Sequence, residues 1–188
     1  GAAEVLMTSE GLVFPGALSP DGRHLLYMTN SAETSWDIWS LPLDGSGEAY
    51  PLLNSEFVEV RPTFSPDGRW FAYNSSESGR SEVYVRPFPG PGGQWQLSTD
   101  GGSEPKWSAD GRQIYYIDSG NNLVTVPVTA GATFSAGLPE TLFTPPFYPV
   151  TQRERYVASA DGQRFLILST ASGESVRPTT VVLNWHVG

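Results

Sequence analysis

Ser65-Pro66-Asp67-Gly68, followed by Arg69, is the stretch on which the reading of this chain turns. It occurs earlier as Ser19-Pro20-Asp21-Gly22-Arg23. With Ala in place of Pro it returns as Ser108-Ala109-Asp110-Gly111-Arg112, and again as Ser159-Ala160-Asp161-Gly162 before Gln163-Arg164. The aspartates fall at positions 21, 67, 110 and 161, at intervals of 46, 43 and 51. One phrase recurring at a fixed phase with a period of this size is the sequence signature of a repeat architecture. The Asp side chain hydrogen-bonds its own local backbone, and Gly accepts positive φ without a Cβ clash, so each phrase reads as a tight turn between two strands.

Short apolar runs surround each turn. In the second repeat Pro62-Thr63-Phe64-Ser65 precedes it and Trp70-Phe71-Ala72-Tyr73-Asn74 follows, with further strands at 82–86 and 95–98. In the first repeat, 37–43 (Asp-Ile-Trp-Ser-Leu-Pro-Leu) alternates apolar and polar residues, the period of a half-buried strand. The third repeat offers strands at 105–108, 113–118, 123–128 and 140–143, and the last at 155–159, 165–169 and 179–185. Four short antiparallel strands per repeat of this length predict an all-β β-propeller of about four four-stranded blades. The repeats run approximately 15–53, 61–98, 104–143 and 155–185, within one domain, 1–188. The last repeat is one strand short. The N-terminal run 4–8 (Glu-Val-Leu-Met-Thr) is expected to be a strand that completes the last blade, in cis or, in an eight-bladed dimer, in trans. Such closure would remove exposed sheet edges.

Composition agrees with turn-rich all-β structure: 20 Gly and 16 Pro stand among 188 residues, with 39% hydrophobic and 16% charged residues. Eleven Lys and Arg against 20 Asp and Glu give a formal charge of −9. That balance argues against nucleic acid and against an anionic membrane surface as partners. The chain has no cysteine, which excludes disulfides, thiolate metal sites and a Cys nucleophile. No run of 18 apolar residues is present to span a membrane. The chain begins with Gly rather than Met and reads as a piece of a longer protein.

The run 62–73 and the run 79–90 (Gly-Arg-Ser-Glu-Val-Tyr-Val-Arg-Pro-Phe-Pro-Gly) resemble the TolB-like, WD-repeat-like bacterial propeller repeat. The ending Thr180-Val181-Val182-Leu183-Asn184-Trp185 resembles the C-terminus of propellers attached to acidobacterial-type serine/threonine kinases. The resemblance implies a propeller with a binding, scaffold or sensory role, a periplasmic or extracytoplasmic location, no cofactor and no catalytic residue in the repeat itself. TolB-like propellers usually carry six or more blades. A chain with about four would close as a four-bladed monomer, pair into an eight-bladed homodimer, or be part of something larger.

The chemistry-bearing residues admit two functional readings. Asp21, Asp67, Asp110 and Asp161 read as turn formers set apart around a ring. No Gly-x-Ser-x-Gly nucleophile elbow occurs. The two histidines, His24 and His186, are too few for a three-His zinc site, and no spacing supports a mixed metal site. A small serine hydrolase or esterase using a loop Ser with His24 or His186 is the alternative to a non-enzymatic module. The connections from each fourth strand to the next first strand are expected to gather, with the second-to-third strand loops, at the channel mouth, where a rigid scaffold concentrates binding residues. There stand Glu59, Arg61, Glu104, Lys106, Arg153 and Arg155, with Phe147 and Tyr148 in the long Pro-rich loop. They would take a protein or a small polar ligand. Salt-bridged plugging between neighbouring blades is the competing reading of the same charges.

Overall fold

The computed structural model describes residues 5–9, 11–147, 154–169 and 180–182, the last three as backbone only. All regular structure in the described residues is β, arranged in successive antiparallel sheets along the chain. The first sheet is β1 (Val13–Leu18), β2 (His24–Ser31), β3 (Ser35–Pro42) and β4 (Tyr50–Leu53), in that spatial order. The second repeats the pattern with β5 (Glu59–Phe64), β6 (Trp70–Ser75), β7 (Glu82–Pro87) and β8 (Trp95–Gln96). In the third, β9 (Gly102–Trp107) and β10 (Gln113–Asp118) lead to the long β11 (Leu123–Ala130). The C-terminal part of β11 pairs with β12 (Phe134–Ala136) and its N-terminal part with β13 (Glu140–Phe143), the fourth strand read from sequence. The fourth sheet shows β14 (Tyr156–Ala158), β15 (Phe165–Ile167) and β16 (Thr180–Val182).

The repeated turns have one geometry. The Ser19 hydroxyl donates to Asp21 Oδ1 (2.6 Å), which also accepts from the Arg23 amide (3.1 Å), while Ser19 Oγ accepts from the His24 amide (2.9 Å). Gly22 completes the turn at φ 72°, and Gly68, Gly111 and Gly162 match it at 71°, 71° and 67°. The Ser hydroxyl, then the backbone amide, hold the carboxyls of Asp21, Asp110 and Asp161 below the usual range. The turns also touch from sheet to sheet: a Cβ on Gly68 would lie 3.3 Å from Pro20 Cδ, and one on Gly111 3.4 Å from Pro66 Cδ. The second and third turns therefore each seat on the turn before, while Gly162 of the fourth faces the Tyr115 hydroxyl of the third sheet.

Strand alternation sends side chains to the two faces of every sheet, and successive sheets pack face to face. Leu26 and Ile38 of the first sheet meet Phe64, Phe71, Tyr73 and Tyr84 of the second. Trp70, Ala72, Val83 and Val85, on the other face of the second, meet Ile114, Tyr116, Val124 and Val126 of the third. Tyr115, Ile117 and Leu123 meet Tyr156, Phe165 and Ile167 of the fourth. These three joints are the core, and they take most of the aromatics of the second and third strands; in the first sheet Phe14 packs on Trp36 and Tyr27 on Trp39.

Of the strand expected over 4–8, Glu4 lies outside the described residues and 5–8 carry no ladder. Instead Val5, Leu6 and Met7 lie against the outer face of the first sheet, beside Val13, Pro15, Leu25, Tyr27 and Leu41, around a cavity of about 370 Å³. The physical reason is that this apolar face meets no other sheet among the described residues, and the nearest apolar segment packs on it. Among the described residues β16 pairs only with β15.

Candidate binding face

The antiparallel order places the Asp-Gly turns and the β3–β4 connections on one rim of the stacked sheets. The β2–β3 type loops and the connections from one sheet to the next lie on the opposite rim, here called the loop rim. The nominated residues of the first strands sit at its inner edge. Their placement depends on a bulge: the β5–β6 register shifts between Val60 and Thr63, and the β9–β10 register shifts between Tyr115 and Ile117. Arg61 and Glu104 occupy these bulges at φ 58° and 57°. The Arg61 amide donates to Met28 Sδ (3.0 Å), and the Glu104 amide to Asn74 Oδ1 (3.2 Å). Met28 and Asn74 are equivalent positions of successive sheets, so the same joint contact is made twice with different chemistry.

Glu104 and Arg155 come together. Arg155 Nε donates to Glu104 Oε1 (2.7 Å) and its backbone amide to Oε2 (2.8 Å). The guanidinium also reaches Ser103 Oγ (3.1 Å) and Asn121 Oδ1 (3.2 Å) and lies 5.2 Å from the centroid of the Phe147 ring. The Tyr156 hydroxyl donates to the Glu104 carbonyl (2.9 Å). The side chains of Arg155 and Glu104 are 13% and 3% exposed, so this is a buried latch between the third and fourth sheets. Lys106 Nζ pairs with Glu154 Oε1 at 2.7 Å nearer the surface. Glu59 is buried and accepts from the Ser55 hydroxyl (2.6 Å). Burial, with the Asp37 and Glu77 carboxylates adding to it, pushes its carboxyl above the usual range. Arg153, Tyr148 and His186 lie outside the described residues.

Of the nominated histidines, His24 begins β2 with its ring 5.0 Å from that of Phe88, edge-on, and its Nδ1 3.3 Å from Ser40 Oγ. Ser40 is completely buried.

The sequence reading missed a second ring of polar residues. Asp37, Glu82 and Asn122 each stand five residues before Pro42, Pro87 and Pro127, a repeat position legible once the prolines are aligned. Glu82 is buried and fully engaged: its Oε1 accepts from Arg80 Nε and the Gly101 amide, both at 2.9 Å, and its Oε2 from the Ser98 hydroxyl. Asp37 accepts from Thr34 Oγ1 (2.6 Å). Its Oδ1, like Glu59 Oε2, has no hydrogen-bond partner among the described residues.

Charge divides unevenly between the rims. On the turn rim Asp21, Asp67, Asp110 and Asp161 alternate with Arg23, Arg69, Arg112 and Arg164, and Asp44 and Glu48 join them in the β3–β4 connection. On the loop rim Glu33, Glu56, Glu77, Asp100, Asp118 and Glu154 join the buried Asp37, Glu59, Glu82 and Glu104. The described cations there are Arg61, Arg80, Lys106 and Arg155. Arg80 is spent on Glu82 and on Asp100 (2.9 Å), Lys106 on Glu154, and Arg155 on Glu104. The carboxylates of exposed Glu33 and Glu56 have no cationic partner among the described residues.

Stacked four-stranded antiparallel sheets joined through turn-to-turn and face-to-face contacts define the β-propeller class. The TolB beta propeller domain model matches residues 1–180, and the chain belongs to that family. An uncharacterised protein of Agrobacterium fabrum is 31% identical over 103 residues, which is 55% of this chain and 31% of that protein. The crystal structure of TolB from Acinetobacter baumannii aligns with 90% of this chain and 40% of its own, with a TM-score of 0.68 and 22% identity. The tricorn protease aligns with 70% of this chain and 15% of its own, with a TM-score of 0.52 and 18% identity, a likeness of fold alone. The chain thus spans about a third of the first of these and less than half of the second.

Proposed function

We propose that this chain is a non-enzymatic propeller module that binds a cationic partner, a basic segment of another protein, on its loop rim. The observation that carries the reading is the charge asymmetry: the loop rim sets more carboxylates, exposed and buried, against its described cations than the turn rim sets against its arginines. Complementary potential of this kind steers encounter and selects the sign of the partner. The rim is also stiff. The Glu104–Arg155 latch and the Asn74 contacts fix its inner edge, so little order is lost on binding. The environment of His24 favours this over hydrolysis, because its hydroxyl neighbour is the buried Ser40, beyond the reach of a substrate.

The test is titration of the protein with a fluorescent Lys/Arg-rich peptide and with a Glu-rich peptide of equal length, at low and at physiological salt. The basic peptide alone is expected to bind, more weakly as salt rises. The pair Glu33→Lys and Glu56→Lys should weaken binding further, whereas Asp44→Lys on the turn rim should not. Equal binding of both peptides, or indifference to the loop-rim reversals, would refute the reading.

A further inference from the structure

The first joint and the second build one repeat position from different acids. Asp37 and Glu82 are equivalent, and so are Ser55 and Ser98, each twelve residues before the turn aspartate Asp67 or Asp110. Glu59 stands where the second joint has Gly102, eight residues before the same aspartates. In the second joint the Ser98 hydroxyl donates to Glu82, and a Cβ on Gly102 would collide with that hydroxyl. In the first, Asp37 is one methylene shorter, and the Ser55 hydroxyl donates to Glu59 instead (2.6 Å). Ser35 stands in the place of Arg80, the guanidinium that pairs with Glu82. Where the second joint buries one carboxylate with its own cation, the first buries two.

The donors do not keep pace. Glu82 accepts from Arg80, the Gly101 amide and Ser98, whereas Asp37 has the Thr34 hydroxyl and Glu59 the Ser55 hydroxyl. Asp37 Oδ1 and Glu59 Oε2 are left without a partner among the described residues, on residues 1% and 4% exposed. The Asp37 charge bears on Glu59, as does Glu77 from the β6–β7 loop, and Arg86 of β7 acts against them. Arg61 stands two residues along β5, at the bulge. Of the other elements packed on β5, β1 carries no titratable group, and β2 carries His24, at the turn rim, and Tyr27. β6 carries Tyr73, and burial raises both tyrosines, so they stay neutral. β9 carries Glu104 and Lys106, which are engaged with Arg155 and Glu154. Two buried carboxylates with an idle acceptor each cost less as one acid and one carboxylate, because a single charge then stays out of water.

We propose that Asp37 and Glu59 take up one proton between them and that a cationic partner docking on the loop rim drives it off, which makes the rim a pH-regulated binding face. The proton rests on the geometry of this joint; its release rests on the cationic partner proposed above. The two loops that hold the pair are the two that expose the docking carboxylates. Thr34, bonded to Asp37, follows Glu33, and Ser55, bonded to Glu59, precedes Glu56. A positive charge bound at Glu33 and Glu56 favours the fully ionised pair, and by linkage the ionised pair favours the positive charge. Burial, then the Asp37 charge, raises the Glu59 carboxyl, in the direction this requires. The pair titrates as a unit, so its steps belong to both residues. One linked proton makes affinity rise with pH by at most about tenfold per unit, within the window between the pair's values without and with the partner.

The experiment has two arms. Carboxyl carbon shifts of the chain alone, followed by NMR across pH, should show one group of the pair titrating above the ordinary carboxylate range. Asp37→Asn should bring the Glu59 titration back down, which burial alone would not do. Calorimetric titration with a Lys/Arg-rich peptide, in buffers of different ionisation heat, should show proton release on binding and affinity rising with pH. Glu59→Gln should bind the same peptide without proton release and with that rise abolished. A Glu59 titration in the ordinary range, or one indifferent to Asp37→Asn, overturns the shared proton. Peptide binding without proton release, across the range where the pair titrates, overturns the coupling and leaves the rim reading standing. No peptide binding at any pH, with the pair's titration intact, overturns the coupling together with the rim reading. A melting gain with calcium chloride that Glu59→Gln abolishes would put a metal ion where the proton is assigned, and overturns the proposal.

Discussion

Replacing Arg155 with Met removes the charged half of the latch between the third and fourth sheets while keeping most of its length. The Nε bond to Glu104 (2.7 Å), the contacts to Ser103 and Asn121 and the stacking over Phe147 are lost. The backbone amide of residue 155 still donates to Glu104 Oε2. Glu104 is left as a carboxylate with a 3% exposed side chain and no cation. Removing one member of a buried pair costs about 3–5 kcal/mol, against about 0–1 kcal/mol for a surface pair. The retained amide bond places this case near the lower end, about 3 kcal/mol. At ~2–4 °C per kcal/mol for a domain of this size, the melting midpoint should fall by about 6–12 °C. Adding Glu104→Gln should recover part of the loss, since the orphaned charge goes with it. The assay is a double-mutant cycle of Arg155→Met and Glu104→Gln by urea unfolding at neutral pH, with a coupling of roughly 1–3 kcal/mol expected. Additive effects, each below about 1 kcal/mol, would refute the view that the latch holds the sheets together.

Three further outcomes follow from the same contacts. Glu59 has a raised carboxyl, so the folded chain holds its proton longer than the unfolded one; its contribution is favourable at low pH and is lost as pH rises through the raised value. Glu59→Gln should therefore gain stability relative to the wild type as pH rises above the range where an unfolded glutamate titrates and lose that advantage below it, read by thermal melts across pH. Asn74→Ala strands the Glu104 amide and leaves the Gly102 carbonyl with the Ser81 hydroxyl alone, and should cost about 1–3 kcal/mol, whereas Asn74→Met, which supplies the thioether the first joint uses at Met28, should cost about half as much by urea unfolding. His24→Ala should lower stability by about 1–2 kcal/mol through its lost contact with Phe88, with turnover of a chromogenic short-chain ester at background in variant and wild type alike.

The Ser-Pro-Asp-Gly phrase made the sheets legible because its information is local: a hydroxyl, a carboxylate and a glycine close the turn within five residues. The first strands, second strands and β13 followed from it. The N-terminal segment was misread because apolar residues in a short run describe a strand and a cover for an exposed face equally well. Strand pairing is not a local property of such a run. The hairpin partner β12 was lost between Gly131 and Gly137, whose composition reads as loop. At the site, Glu104 and Arg155 were named but not joined. Their pairing crosses 51 residues and depends on the positive φ at Glu104, which nothing in the side-chain pattern announces. Asp37 and Glu82 were passed over because each looked like an ordinary polar residue at a strand start, and only their burial makes them unusual.

Backbone amide shifts, followed by NMR while a Lys/Arg-rich peptide is added, test the claim of a binding rim most directly. Perturbations centred on Glu33, Glu56, Glu77 and Asp100, fading as salt is raised, are the expected result. Shifts confined to the Asp-Gly turns, or none at saturating peptide, would contradict it.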